Sequence, residues 1–218
     1  MKILNSEYRA LFFDFDGVLA DSVEVKTDAF AKLFERFGSE IQGKVVEHHR
    51  NNGGMTRKDK FVYYYQNYLQ KALNHGELEK LCREFSNLVV DNVVAVPEIP
   101  GAEYFLKKYC NKAKCFVVSA TPDEEIREIV NRRGINIYFE EILGSSCSKT
   151  EHVNSLLDKY NFESNQCLFW GDTGSDYRAA IETGVGFIGV LPNKNAPLLK
   201  IAPDIIWHEN FLKIELQD

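Results

Sequence analysis

Ala10-Leu11-Phe12-Phe13-Asp14-Phe15-Asp16-Gly17 is an apolar run that ends abruptly in two acids and a glycine. A continuous apolar run of this length reads as a strand buried on both faces, and its acidic end as the loop that leaves it. Working outward, similar runs recur at Cys115-Phe116-Val117-Val118, Cys167-Leu168-Phe169-Trp170 and Gly186-Phe187-Ile188-Gly189-Val190. A weaker one is Glu141-Ile142-Leu143-Gly144. Helical stretches separate them. Thr121-Pro122-Asp123-Glu124 offers a capping Thr, a Pro at the first helical position and a Glu three after the cap, with Gly134 as the stop. Ser148-Lys149-Thr150-Glu151 is a second capping box, followed by Val153, Leu156, Leu157 and Tyr160 at helical spacing. Strands alternating with helices of this length predict an α/β fold around a parallel sheet with right-handed crossovers.

Residues 22–95 break the alternation. Phe30, Leu33, Phe34 and Phe37 share one helical face, as do Phe61, Tyr64, Tyr65, Tyr68 and Leu69. A third set is Leu78, Leu81, Cys82, Phe85, Leu88 and Val89. Three helical periods with no strand between them predict an all-α insertion after the first strand. Pro97-Glu98-Ile99-Pro100-Gly101 marks the return to the sheet. The expected division is therefore 1–21 with 96–218 as the catalytic core, and 22–95 as a helical insert. The tyrosine run 63–65 reads as packing surface.

Composition narrows the function. The 218 residues suffice for one to two domains and for a core that needs no disulfides. Hydrophobic residues are 44% and charged residues 27%, which excludes a wholly disordered or fibrous chain. Basic residues number 26 and acidic residues 32, a net charge of −6 that argues against nucleic acid or an anionic membrane as partner. No apolar run approaches the ~18 residues that span a bilayer. Asn5, Ser6, Glu7 and Arg9 interrupt the first thirteen residues, so no signal-peptide core is expected there. Five cysteines (82, 110, 115, 147 and 167) with no CxxC pair predict reduced thiols and a cytoplasmic protein.

In open parallel sheets, ligands sit beyond the carboxyl ends of the strands. Asp14 and Asp16 follow the first strand here, Ser119 and Thr121 the second, and Lys149 the weak third. Asp172 and Asp176 follow the fourth, in Gly171-Asp172-Thr173-Gly174-Ser175-Asp176. Four carboxylates on one rim repel one another unless a cation sits among them, and hard oxygen ligands favour Mg²⁺. A lysine and a hydroxyl nearby suit a phosphoryl group. Singly, each element is ordinary, because a lone Asp-x-Asp is often only a capped loop. Their joint occurrence in this order is not.

Together, Asp14-Phe15-Asp16-Gly17-Val18, Ser119, Lys149 and Gly171-Asp172…Asp176 resemble the four motifs of the haloacid dehalogenase superfamily. The helical insert resembles the cap of its β-phosphoglucomutase and phosphoglycolate-phosphatase-like branch. The resemblance covers essentially the whole chain. It implies a Rossmann-like core under a mobile, four-helix-type cap, and a Mg²⁺-dependent phosphatase acting on a small phosphorylated metabolite, a sugar phosphate or a phosphoglycolate-like compound, through an aspartyl phosphate. It makes Asp14 the nucleophile and Asp16 the general acid and base. Ser119, with neighbouring backbone N–H groups such as that of Ala120, holds a phosphate oxygen, and Lys149 neutralises charge. The implied metal ligands are Asp14, Asp172 and the backbone carbonyl of Asp16, with Asp176 acting behind them or through water.

The pattern also separates relatives. Dehalogenases lack the second acid and phosphonatases replace it, so Asp16 favours phosphoester chemistry. Sugar phosphomutases of this type carry a His where this chain has Lys26, which favours hydrolysis over transfer. Gly53-Gly54-Met55-Thr56-Arg57 resembles the cap loop that meets the substrate. Arg57 and Lys26 are accordingly the candidates to grip a second anionic group, and the alternative for Arg57 is a surface side chain starting a helix. A receiver-like phospho-acceptor module remains as a reading from another class. Its acids are adjacent after the first strand, however, and it has no large insertion.

Overall fold

The computed structural model describes residues 8–215. The start of the chain, where no signal peptide was expected, lies largely outside the described residues. Strand β1 (Ala10–Phe13) is followed by four helices, α1 (Val23–Phe34), α2 (Ser39–Asn51), α3 (Arg57–Tyr68) and α4 (His75–Ala95). After α5 (Ala102–Tyr109), strands and helices alternate: β2 (Lys114–Val118), α6 (Asp123–Arg132), β3 (Glu141–Leu143), α7 (Lys149–Tyr160) and β4 (Cys167–Gly171). The remaining elements are α8 (Gly174–Thr183), β5 (Gly186–Val190), the short α9 (Leu198–Ile201) and β6 (Trp207–His208). The six strands are all parallel, in the order β3-β2-β1-β4-β5-β6.

Strand alternation sorts the side chains into two cores. Leu11, Phe13, Cys115, Val117, Leu168 and Trp170 face α5 and α6, in one core with Phe105, Leu106, Ile126 and Ile129. Ala10, Phe12, Phe116, Val118, Cys167 and Phe169 face α7 and α8, meeting Val153, Leu156, Ala179 and Ala180. Burying each large apolar side chain contributes about 1.5–3 kcal/mol, so continuous apolar strands are stable only when both faces are covered. Within 23–95 the centre is aromatic, with Phe30 4.5 Å from Phe85 and 5.4 Å from Phe61 between ring centroids. Tyr64 is fully buried beside them, as a packing role for the tyrosine run requires.

Two connections tie the helical segment to the sheet. The Asp21 N–H donates to the Pro97 carbonyl at 3.0 Å, and Ala20 bridges Glu98 in antiparallel fashion. The Arg133 guanidinium, just past α6, donates to the carbonyls of Val93, Val94 and Val96 at 2.9, 3.1 and 2.8 Å. A cation placed there satisfies the orphan carbonyls at the end of α4.

One expectation needs correction, and two elements were not legible in the periodicity. The insert holds four α-helices where three periods were legible, because only Val45 and His49 of α2 are buried and its apolar stripe is too thin to read. Thr121 does not cap α6: the cap position is Pro122, with no side-chain bond, and the threonine hydroxyl is engaged elsewhere. Strand β6 is two residues long, too short for any periodicity. The second capping box forms as read, with Ser148 and Glu151 exchanging both bonds. All five cysteines are free, and among the described residues no helix is long and apolar enough to cross a membrane.

Candidate active site

Register decides where the site is. Phe13 pairs with Val117 on one side and Trp170 on the other, so β1, β2 and β4 end level and their following residues meet. The Asp14 N–H continues the ladder onto the Trp170 carbonyl at 2.9 Å. Asp14 Oδ1 accepts from the Phe15 N–H at 2.6 Å, and its Oδ2 lies 2.6 Å from Lys149 Nζ. Lys149 opens α7 and also donates to Asp176 Oδ1 at 2.6 Å. Asp176 is fully buried, and its other oxygen accepts from the Thr173 N–H at 2.9 Å and the Thr173 hydroxyl at 2.6 Å. The same oxygen receives the Asp172 N–H at 3.2 Å. Asp176 thus builds the first turn of α8 and aims the loop that carries Asp172.

Carboxylate oxygens of Asp14, Asp172 and Asp176 lie within 4.8 Å of one another. Gly17, at φ +76°, lets the β1 loop close over them, since a Cβ there would stand 2.6 Å from Asp172 Oδ2. Burial, then the neighbouring charges of Asp14 and Asp176, pushes the Asp172 carboxyl well above its ordinary range. Asp14 is pushed up as well, chiefly by burial, with Lys149 opposing and Asp176 and Asp16 reinforcing. Lys149 stays charged although burial disfavours it, because it is shared between Asp14 and Asp176. One ammonium cannot compensate three carboxylates. Asp172 Oδ1 is buried without a hydrogen-bond donor. An all-oxygen cluster with an orphaned lone pair fits a hard divalent cation.

Asp16 faces a different set of partners. Its carboxylate accepts from the Ser22 hydroxyl at 2.6 Å, the Thr121 hydroxyl at 3.1 Å and the Lys26 ammonium, which also donates to Thr121 Oγ1 at 2.7 Å. Burial raises its proton affinity, but Lys26 and these donors outweigh it and hold the carboxyl below the ordinary range. Ser119 is buried at the end of β2, its N–H on the Leu143 carbonyl at 2.9 Å and its Oγ accepting from the Thr121 N–H at 3.2 Å. Ala120, between them, is half-buried.

The two substrate-gripping candidates from the helical segment are placed differently from each other. Lys26 reaches the site but is engaged with Asp16. Arg57 is neither a solvated helix start nor open to a ligand. It is buried, forks onto Glu125 of α6 with one branch at 2.8 Å, donates to Ser86 at 2.7 Å and lies over the Phe85 ring. It ties α3 and α4 to the sheet's own helix. Sequence reasoning passed over Ser22, Glu125, His49 and Lys60. Lys60 left one signal, its place four residues before Tyr64 on the buried face of α3.

The helical segment also touches the site directly. A Cβ on Gly54 would stand 2.0 Å from Ser175 Oγ, so only glycine allows this approach to the first turn of α8.

With that geometry in view, residues 11–190 match the haloacid dehalogenase-like hydrolase family. The chain belongs to that family. Along its length it is also similar to the phosphoglycolate phosphatase of Haemophilus influenzae, 23% identical over 94% of this chain and 96% of the relative. A predicted phosphoglycolate phosphatase from Haemophilus somnus has a similar fold, at TM-score 0.74 and 20% identity over 94% of this chain and 96% of that one. So does CbbY from Rhodobacter sphaeroides, crystallised with xylulose-(1,5)bisphosphate, at TM-score 0.75 and 16% identity over 94% and 96%. The chain is a hydrolase of the α/β, haloacid dehalogenase-like fold, and the curated relatives that it matches are phosphatases.

Proposed function

We propose that this hydrolase is a cytoplasmic, Mg²⁺-dependent phosphatase that cleaves a small phosphorylated metabolite through an aspartyl phosphate on Asp14. The observation that carries the reading is the cluster at the ends of β1 and β4, where carboxylate oxygens of Asp14, Asp172 and Asp176 lie within 4.8 Å of one another and Lys149, from the start of α7, stands 2.6 Å from Asp14. Residues 22–95 act as a cap over a Rossmann-like core of 1–21 and 96–218. The phosphoglycolate phosphatase relatives favour a small, acidic phosphomonoester over a sugar phosphate.

In the first half-reaction a carboxylate oxygen of Asp14 attacks phosphorus, and the ester oxygen leaves with a proton from Asp16. In the second, water attacks the same phosphorus, Asp16 takes its proton, the Asp14–phosphorus bond breaks and inorganic phosphate is released. Ser119 and the Ala120 N–H hold phosphoryl oxygens while Lys149 offsets their charge. Asp14, Asp172 and the Asp16 carbonyl would hold Mg²⁺, which supplies positive charge against the phosphoryl oxygens. Asp16, paired with Lys26, is in the ionised form that the second half-reaction needs. An arriving phosphate dianion raises its proton affinity and so favours the acid form needed for the first. A phosphomutase would use the same chemistry. Lys26, where such enzymes carry His, favours hydrolysis, and dependence on a bisphosphate activator separates the two.

A panel of phosphorylated metabolites assayed with Mg²⁺ tests this reading. Exhaustive chelation should abolish turnover and Mg²⁺ restore it, with Ca²⁺ inhibiting because its looser shell spoils in-line geometry. The carboxyls that burial and repulsion push up keep protons in the folded chain that the unfolded chain has lost. As pH rises from the ordinary carboxylate range through their raised values, they therefore lower the metal-free protein's stability. Thermal stabilisation by Mg²⁺ should accordingly grow with pH. Full activity in chelator, or Mg²⁺ stabilisation that is flat with pH, rules this metal site out.

Asp16→Asn supplies a separate check. Alkyl phosphates, whose leaving groups need a proton, should lose on the order of a hundredfold or more in kcat, and aryl phosphates much less. Equal losses count against Asp16 as the acid.

A further inference from the structure

Among the described residues, three lysine or arginine side chains are buried: Arg57, Lys60 and Lys149. Counter-charges account for two. Lys149 has Asp14 and Asp176, and Arg57 has Glu125. Lys60, 2% exposed, has no carboxylate within ion-pair distance among the described residues. Its ammonium meets only neutral groups, His49 Nδ1 at 2.9 Å, the Gly53 carbonyl at 3.4 Å and the Phe30 ring, centred 5.6 Å away. Burial, then the charge of Lys26, brings its proton affinity down to about 7. An uncompensated buried ammonium is costly, and an apolar side chain of the same length would avoid the cost. A position that keeps the amine is explained if a ligand brings the missing charge.

The surroundings place Lys60 next to the catalytic loops. Gly53, which receives the Lys60 ammonium, abuts the loop after β4, since a Cβ on it would meet Thr173 Cγ2 at 2.9 Å. Besides Lys26 and Arg57, the charges that act on Lys60 are Asp16 and Asp172. Lys60 therefore stands at the seam between the helical segment and the catalytic loops. His49 is held neutral, with its pKa lowered to about 3 by burial and by Lys60 and Lys26, so Nδ1 can accept from the ammonium. The Phe30 ring, 4.8 Å from the imidazole, fixes its plane.

We propose that Lys60, positioned by His49, is the specificity-determining residue that receives a carboxylate at the far end of the phosphomonoester. A single ammonium balances a carboxylate, whereas a second phosphate dianion would leave net negative charge in a closed site. Arg57 does not serve this role, because Glu125 already neutralises it. The identity of the substrate rests on the phosphatase reading, but the anion site does not.

The test uses Lys60→Met, which removes the charge and keeps the length. With Mg²⁺ present, phosphonoacetate (two anionic ends) and methylphosphonate (one) are titrated calorimetrically into both proteins. Lys60→Met should weaken phosphonoacetate by at least about tenfold and leave methylphosphonate unchanged, while unfolding at the same or a higher temperature. In turnover, KM for 2-phosphoglycolate should rise by a similar factor with kcat little changed, and KM for ethyl phosphate should not move. His49→Leu should reproduce the KM effect and His49→Gln, which retains an acceptor, should rescue it. If wild type does not prefer phosphonoacetate, or if the substitution moves both ligands alike or neither, the proposal is overturned. If wild type hydrolyses neither ester yet Lys60→Met still loses phosphonoacetate selectively, the anion site stands and the phosphatase reading falls.

Discussion

Asp14→Asn should lower kcat by on the order of 10⁴-fold or more and leave the fold intact. The amide retains an oxygen for the Phe15 N–H, so the β1 turn keeps its bond. It has no anionic oxygen to attack phosphorus, and no neighbouring residue takes over. Asp16 is bound to Lys26, Ser22 and Thr121, and Asp176 is buried under Thr173 and Lys149. Because one of three crowded carboxylates is removed, the metal-free variant should unfold at the same or a higher temperature than wild type. Steady-state kinetics on any accepted phosphomonoester, with acid-quench trapping of phosphorylated protein, checks both parts. Turnover like wild type, or undiminished labelling of the chain, would remove Asp14 from the mechanism.

Lys149→Met should be the most destabilising substitution in the site. It strips the one cation from between Asp14 and Asp176, which sit 2.6 Å from its ammonium and are themselves buried. Removing one partner from a buried pair costs about 3–5 kcal/mol, because the charges left behind have no compensation. The sign of the pH dependence follows. Without Lys149 the carboxyls hold their protons to still higher pH, so the loss relative to wild type should be small in mild acid and grow as pH rises. Added Mg²⁺ should recover part of it, since a second cation reaches the same oxygens. Denaturant unfolding at about pH 5 and pH 8, with and without Mg²⁺, measures all of this. A loss equal at both values would mean that Lys149 packs without balancing charge. If Lys149 offsets phosphoryl charge as proposed, activity should fall steeply even where the variant is folded.

On the proposed reading, the helical segment divides its buried cations between two tasks. Arg57 and Lys60 are three residues apart on α3, one turned to Glu125 and the other to the catalytic seam. The arginine closes the helical segment onto α6, and the lysine is left for the ligand. Opening the segment would expose the Arg57–Glu125 pair to water, where a buried fork becomes an ordinary hydrated one at modest net cost.

The sequence by itself determined the parallel sheet and the residues gathered at its rim. Asp14, Ser119, Lys149 and Asp172 are legible because each follows a short apolar run, and parallel strands buried on both faces place such run-ends on one edge. The capping box at Ser148 was equally local, a pattern of four residues that needs no tertiary partner. Tertiary structure decided the cations. Arg57, Lys60 and Lys26 lie within one helical insert, and nothing in their spacing tells which meets a carboxylate on α6, which meets Asp16 and which meets none. Thr121 shows the same limit, since a residue that looks like a helix cap gave its hydroxyl to Asp16, more than a hundred positions earlier. Hydrophobic periodicity is a property of neighbours in the chain, and it survives in the sequence. Charge compensation is a property of neighbours in space, and only the folded molecule assigns each buried cation its partner or leaves it without one.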